Sequence, residues 1–148
     1  MVSKTRKVSF YRLSLEKQTL LPGTRTVRVT QLNNSEIEDC FREIYNEKMQ
    51  VLSDNHKAIN ITASNGHYVI EAISFEDHRA FLKIGQQNSA NTVALRDRTT
   101  LETENVPMRE SQLLELYTFC LIDFESGIVS YIGINGAPKI SAVRNLFD

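Results

Sequence analysis

Three histidines, His56, His67 and His78, are the side chains of this sequence best suited to moving a proton near neutral pH. His78 follows Glu76 and Asp77, and a carboxylate neighbour can tune an imidazole. Successive residues of a strand point to opposite faces, however, which separates that trio if the segment is extended. His67 follows Asn65-Gly66 and reads as a solvent-facing strand residue. Nucleophilic catalysis needs a nucleophile with a base in hydrogen-bond reach, and no motif here supplies that pairing. Glu102 and Glu104 alternate on one strand face, while Glu110 and Glu115 stand apart, so paired-carboxylate chemistry has no special support. Gly133 and Gly136 do not form a GxGxxG loop, and neither GKS, GKT nor HExxH occurs, so no cofactor and no metal site is expected from motifs. Cys40 and Cys120 lie far apart, outside any CxxC or Cys/His cluster, and read as reduced core thiols. Enzyme chemistry could arise only from residues that meet in three dimensions.

The cations have more to offer. Lys4, Arg6, Lys7, Arg12, Lys17, Arg25 and Arg28 stand against Glu16 alone in residues 1–30, a balance of +6; the chain's net charge of -1 leaves -7 for the remainder. Phosphate contacts need only Lys or Arg at suitable spacing, and Arg6, Lys7, Arg12, Arg25 and Arg28 can line an exposed face beside Tyr11. A second set, Arg79, Lys83, Arg96 and Arg98, flanks the polar run Gly85 to Thr92, whose Gln, Asn and Ser side chains can donate to backbone or base edges. The candidate nucleic-acid contacts are therefore Arg6, Lys7, Arg12, Arg25, Arg28, Lys83, Arg96 and Arg98. The plain alternative is that these cations are solvated outward positions and that the polar run merely joins two strands.

The elements that must position these groups follow from composition and period. With 148 residues, 41% apolar and 24% charged, the chain is long enough to bury one core and reads as a single globular domain. No apolar window approaches the roughly 20 residues that cross a bilayer, and the basic opening lacks an apolar leader core, so a cytoplasmic protein without membrane insertion is expected. Lys7 to Leu15 and Thr24 to Leu32 alternate as strands around Leu21-Pro22-Gly23, and a hairpin between them is the simplest pairing. Asn34-Ser35 with Glu38 resembles a capping box. The apolar stripe Ile37, Phe41, Ile44, Tyr45, Met49 and Leu52 then predicts a helix over 35–52. Lys57 to Ala63 and HYVIEAISF flank Asn65-Gly66, a pair favoured in type I′ hairpin turns, and RAFLKIG extends the meander. Gly85 to Thr92 reads as a loop, and residues 93–106 are open between a short strand pair and irregular structure. Leu114 to Phe124 and IVSYIGI make a second hairpin, central in the sheet, and Pro138 leads into a short C-terminal helix. The fold class is α+β: a mainly antiparallel β-sheet built from hairpins, with one long helix and a short C-terminal helix.

This layout, an early FYR strand, a cationic strand, a helix, and then the passage LYTFCLIDFESGIVSYIGINGAPKISAVRNLF, resembles the N-terminal domain of RexA-like phage-exclusion and abortive-infection proteins. The resemblance covers most of the chain as an order of elements, and it matches only the N-terminal portion of fuller family members, as if the chain were part of a longer protein. It implies a cytoplasmic component of phage defence that binds DNA without strong sequence preference, self-associates and works without a catalytic site. Its partners would be nucleic acid and a second copy of itself. Nothing in the resemblance assigns DNA-contact residues. The competing expectation, drawn from the acidic remainder and the apolar strands, is a protein-interaction module that dimerises or regulates a partner protein.

Overall fold

The computed structural model describes residues 6–64, 66–88, 94–134 and 136–148. Seven strands form one antiparallel sheet: β1 (Lys7–Arg12), β4 (Gln50–Val51), β5 (Lys57–Ala63), β6 (Gly66–Glu76), β7 (Arg79–Asn88), β10 (Leu114–Asp123) and β11 (Ile128–Gly133). Their spatial order is β1-β11-β10-β7-β6-β5-β4, and every neighbouring pair runs antiparallel, as hairpin-rich sequence predicts. Among the described residues the other strands form two separate two-stranded ribbons: β2 (Glu16–Leu20) with β3 (Val27–Gln31), and β8 (Ala94–Arg96) with β9 (Thr103–Asn105). The open question over residues 93–106 thus resolves to a short strand pair, with residue 93 outside the described set.

One face of the sheet carries the core. The helix α1 (Asn34–Glu43) continues through one wider π turn, Ile44–Lys48, and sets Ile37, Phe41 and Ile44 among Ile70, Ala72, Ala80, Leu82, Ile84, Cys120 and Ile122. The short helix α2 (Ser141–Arg144), continued by a 3-10 turn at Asn145–Phe147, adds Ala142, Val143 and Leu146 to the same cluster. Phe41 and Leu82 are wholly buried, and each such side chain contributes about 1.5–3 kcal/mol by leaving water. Among the described residues, no helix is long and apolar enough to cross a membrane.

A bulge in β6 sets which side chains reach that core. Ala72 pairs with Leu82, yet Ser74, not Ile73, pairs with Phe81, so Ile73 is an extra residue in the ladder. Because side chains alternate, this insertion exchanges the two faces beyond it and turns Phe75 toward the helix. Phe75 meets Phe41 edge to face at 4.9 Å between ring centroids, with Tyr45 and Phe124 close by.

Several boundaries differ from the pattern in the sequence. The first strand does not pair with the cationic third one. β1 instead runs against β11, from the other end of the chain, and β2 is the strand that returns on β3 around Leu21-Pro22-Gly23. The reason lies in Leu13 and Leu15, which pack against the core and break the first alternating run in two. Backbone bonds Leu13 N to Gly127 O and Leu32 N to Leu15 O fix that break. The helix starts one step earlier and stops sooner than 35–52. Asn33 is the N-cap, accepting from Glu36 N at 2.9 Å, and Glu36 Oε1 accepts from Asn33 N at 3.2 Å. Glu38, the expected box partner, points inward instead and is only 8% exposed. Ala63 pairs with Gly66 and Thr62 with His67, which moves the hairpin loop one residue ahead of Asn65-Gly66; Asn65 lies outside the described residues. Finally, Gly85 to Asn88 belong to β7, held by the ladder to β10, so the expected loop from Gly85 is shorter; residues 89–93 lie outside the described set.

Candidate functional site: the open face of the sheet

Alternation leaves the second face of the sheet facing away from the helices, and on β1, β11, β10 and β7 it carries a group of aromatic and aliphatic side chains. From the registers, Val8, Phe10 and Arg12 of β1, Ile128, Ser130 and Ile132 of β11, Tyr117, Phe119 and Leu121 of β10, and Phe81 and Lys83 of β7 share this face. One row runs Phe10, Ser130, Leu121, Phe81 across four strands, a span of about 14 Å at the usual strand spacing. Phe10 is 70% exposed and Tyr117 50%, whereas their inward neighbours Thr118, Cys120 and Val129 are buried. Such an apolar surface facing water is the feature that calls for a partner.

The rings are ordered among themselves. Phe81 and Phe119 stack with centroids 5.6 Å apart and planes 19° from parallel, and Tyr117 meets Phe119 edge to face at 5.7 Å. Lys83 Nζ sits 4.5 Å from the centre of the Tyr117 ring, a cation–π contact, and 3.8 Å from Glu115 Oε1. Gly85, opposite Tyr117, makes room for that carboxylate: a Cβ there would lie 2.2 Å from the Glu115 carboxyl carbon. Glu71 and Asp123 share the face with Arg79 and Lys83, so it is amphoteric rather than uniformly basic.

The eight cations expected to contact nucleic acid lie on four separate elements. Arg6 precedes β1, Lys7 and Arg12 sit at its two ends, Arg25 and Arg28 lie on the β2–β3 ribbon, Lys83 is on β7, and Arg96 and Arg98 belong to the β8–β9 ribbon. All but Lys83 are exposed. Arg12 and Lys83 are the two that the alternation places on the open face. Arg96 has a local task, donating from Nη1 to Leu101 O at 2.8 Å across its own turn. Tyr11, the aromatic expected beside the cations, points to the helix side and meets Tyr131 edge to face at 6.4 Å. Of the aromatics that do accompany Lys83 and Arg12, Tyr117 and Phe119 lie in a run apolar on both faces, which reads as a central strand, while Phe10 and Phe81 lie in runs whose outward side only the register identifies.

The histidines divide by position. His67 is exposed on β6 beside Thr62 Oγ1 at 3.2 Å. His78 is not in a strand: with Asp77 it forms the two-residue turn between Glu76 and Arg79, at φ values of 51° for Asp77 and 62° for His78. Its partner is neither sequence neighbour but Glu38 of α1, whose Oε1 lies 2.8 Å from Nδ1. That hydrogen bond first, and the carboxylate's charge second, raise the His78 pKa above the ordinary imidazole value. Cys120 is buried, and desolvation pushes its thiol up to about 12, which removes it as a nucleophile. Compared with known proteins, the chain matches no family model, no curated protein and no solved structure.

Proposed function

We propose that this chain is a cytoplasmic nucleic-acid-binding component of phage defence or exclusion, acting by binding rather than catalysis, and that it holds a single strand across the open face of its sheet. The observation that carries the reading is the outward group of Tyr117, Phe119, Phe81 and Phe10 with Lys83 and Arg12 among or beside them. Every base has a π-face, so exposed rings on a rigid sheet bind unpaired bases without reading sequence, at about 1–3 kcal/mol per stacked base. In a duplex those faces are occupied by neighbouring bases, which favours single strands. Phosphates would follow Arg12, Lys7 and Arg6 along the exposed edge strand β1, away from the carboxylates of Glu71 and Asp123. The assignment to phage defence rests on the resemblance in element order described above.

Titration of labelled single-stranded DNA, single-stranded RNA and duplex DNA by fluorescence anisotropy, at about 50 and 200 mM salt, tests this. Single strands should bind more tightly than duplex, with affinity falling as salt rises. Absence of binding at the lower salt rejects the reading.

A second reading, a protein-interaction module, draws on the same exposed face and on β1, which among the described residues is paired on one side only and carries Val8 and Phe10 in the open. Two copies joined antiparallel through β1, centred between Ser9 and Phe10, would set Lys7 opposite Arg12, a like-charge pair. That register is therefore disfavoured, and the face is the alternative surface for a homodimer. A strict monomer by light scattering, with no co-purifying protein, rules this reading out.

A further inference from the structure

We infer that Asp54, His56 and Glu71 bind one first-row divalent cation, Mn2+ or Zn2+, at the margin of the open face. His56 Nδ1 lies 2.8 Å from Glu71 Oε1 and 3.1 Å from Asp54 Oδ2, and the donor atoms all fall within 4.8 Å of one another. Neighbouring ligands about 2.1 Å from an octahedral ion are about 3 Å apart, which is the spacing found from Nδ1 to each carboxylate. The imidazole nitrogen has one proton to give and faces two carboxylate oxygens. A cation among the three satisfies all of them at once, and it neutralises two acids that a single proton leaves unbalanced. One imidazole with two carboxylates suits the borderline and oxygen-seeking ions, Zn2+ and Mn2+, and leaves coordination positions for water or a ligand.

The backbone holds these donors in place. Leu52 N donates to His56 O at 2.7 Å and Asn55 N to Leu52 O at 3.0 Å, closing a tight loop with Asn55 at φ 68°. Within it Asp54 divides its labour: Oδ1 accepts from His56 N at 3.0 Å, and Oδ2 is the atom turned to the imidazole. Glu71 comes from the interior strand β6, opposite Ala58 and Lys83, where the ladder fixes its direction. Lys83 is engaged with Glu115 and the Tyr117 ring. Asp54 and His56 are separated by a single residue, while Glu71 reaches them only through the β5–β6 hairpin, so no spacing motif reveals the set. The inference does not depend on the chain binding nucleic acid.

The test uses the whole chain, freed of metal by chelation. Isothermal titration with MnCl2 and with ZnCl2 should show one site per chain in the micromolar range for at least one of them, and the bound ion should raise the melting temperature. His56→Gln and Asp54→Asn should each weaken binding at least about tenfold and abolish the thermal shift. Asp54 is exposed, so Asp54→Asn keeps the core intact and its circular dichroism should match the parent. No saturable binding below millimolar concentration, or binding unchanged in both variants, overturns the inference and leaves a carboxylate–imidazole cluster.

Discussion

His78 Nδ1 and Glu38 Oε1, 2.8 Å apart, join the β6–β7 turn to the inward side of the long helix. Glu38 is nearly enclosed while His78 stays half-exposed, and Arg42 approaches the same carboxylate at 3.7 Å. The turn needs positive φ at both central residues; Asp77 suits the first, but His78 stands at the second, where glycine is usual, so its geometry leans on this tie to α1.

That contact makes stability depend on pH with a definite sign. The folded-state pKa of His78 is raised above the ordinary imidazole value of about 6.5, so the contribution is fully present below that value and is lost as pH rises through the folded pKa. Urea midpoints measured from about pH 5.5 to 8.5 should show this component declining toward the alkaline end. In His78→Ala that component should vanish. An unchanged pH profile in the variant would contradict the assignment.

Tyr117→Ala should separate stability from binding. Its ring is half-exposed and touches Phe119 and Lys83 on the open face, so stability should fall by only about 0.5–1.5 kcal/mol and the chain should stay folded. Single-strand affinity should fall by about 1–3 kcal/mol, the worth of one stacked base. Equal affinity in parent and variant argues against stacking on this face.

Glu115→Gln should tighten binding of a single strand. The carboxylate occupies the space above Gly85 and holds Lys83 at 3.8 Å, so its neutralisation removes a repulsion and releases a cation for phosphate. The salt dependence should steepen along with the affinity, which anisotropy titrations at two ionic strengths would read. A decrease in affinity would mean that Glu115 orients Lys83 for binding instead.

Leu82→Ala should destabilise by about 2–5 kcal/mol, because Leu82 is wholly buried between the helix and the central strands and leaves a cavity. Chemical denaturation measures this directly, and a loss under about 1 kcal/mol would mean that the core there is loosely packed.

The two thiols should differ in alkylation. Cys120 is buried with its pKa raised to about 12, while Cys40 on α1 is partly accessible. Iodoacetamide followed by mass spectrometry should label Cys40 first in the native chain and both residues only in denaturant.

The β10–β11 hairpin was the most legible element of the sequence. Glu125-Ser126-Gly127 and the Leu114 and Ile128 runs give the β10–β11 hairpin directly, with Gly127 at φ 72° where a residue with a Cβ is strained. Less legible were the features that alternation hides. Two polar steps, Asn33-Glu36 and Ser35-Glu38, both fit a capping box, and only burial of Glu38 distinguishes them. The extra residue Ile73 inverts the pattern halfway along β6 without any glycine or proline to mark it. In Leu114 to Asp123, Tyr117, Phe119 and Leu121 are as apolar as Cys120 and Ile122, so the composition cannot say which side meets water. The candidate cations were all identifiable by type; the rings that could work with two of them, and the meeting of Asp54 and His56 with Glu71, required the sheet registers.

The pairing of β1 with β11 has a consequence for synthesis. β1 is synthesised long before its partner β11, with the other strands of the sheet between them in sequence, so its backbone donors wait for a distant partner while those strands assemble. Lys7 and Arg12 at its two ends place charge beside Val8 and Phe10, the arrangement that opposes addition of a wrong strand at an open edge.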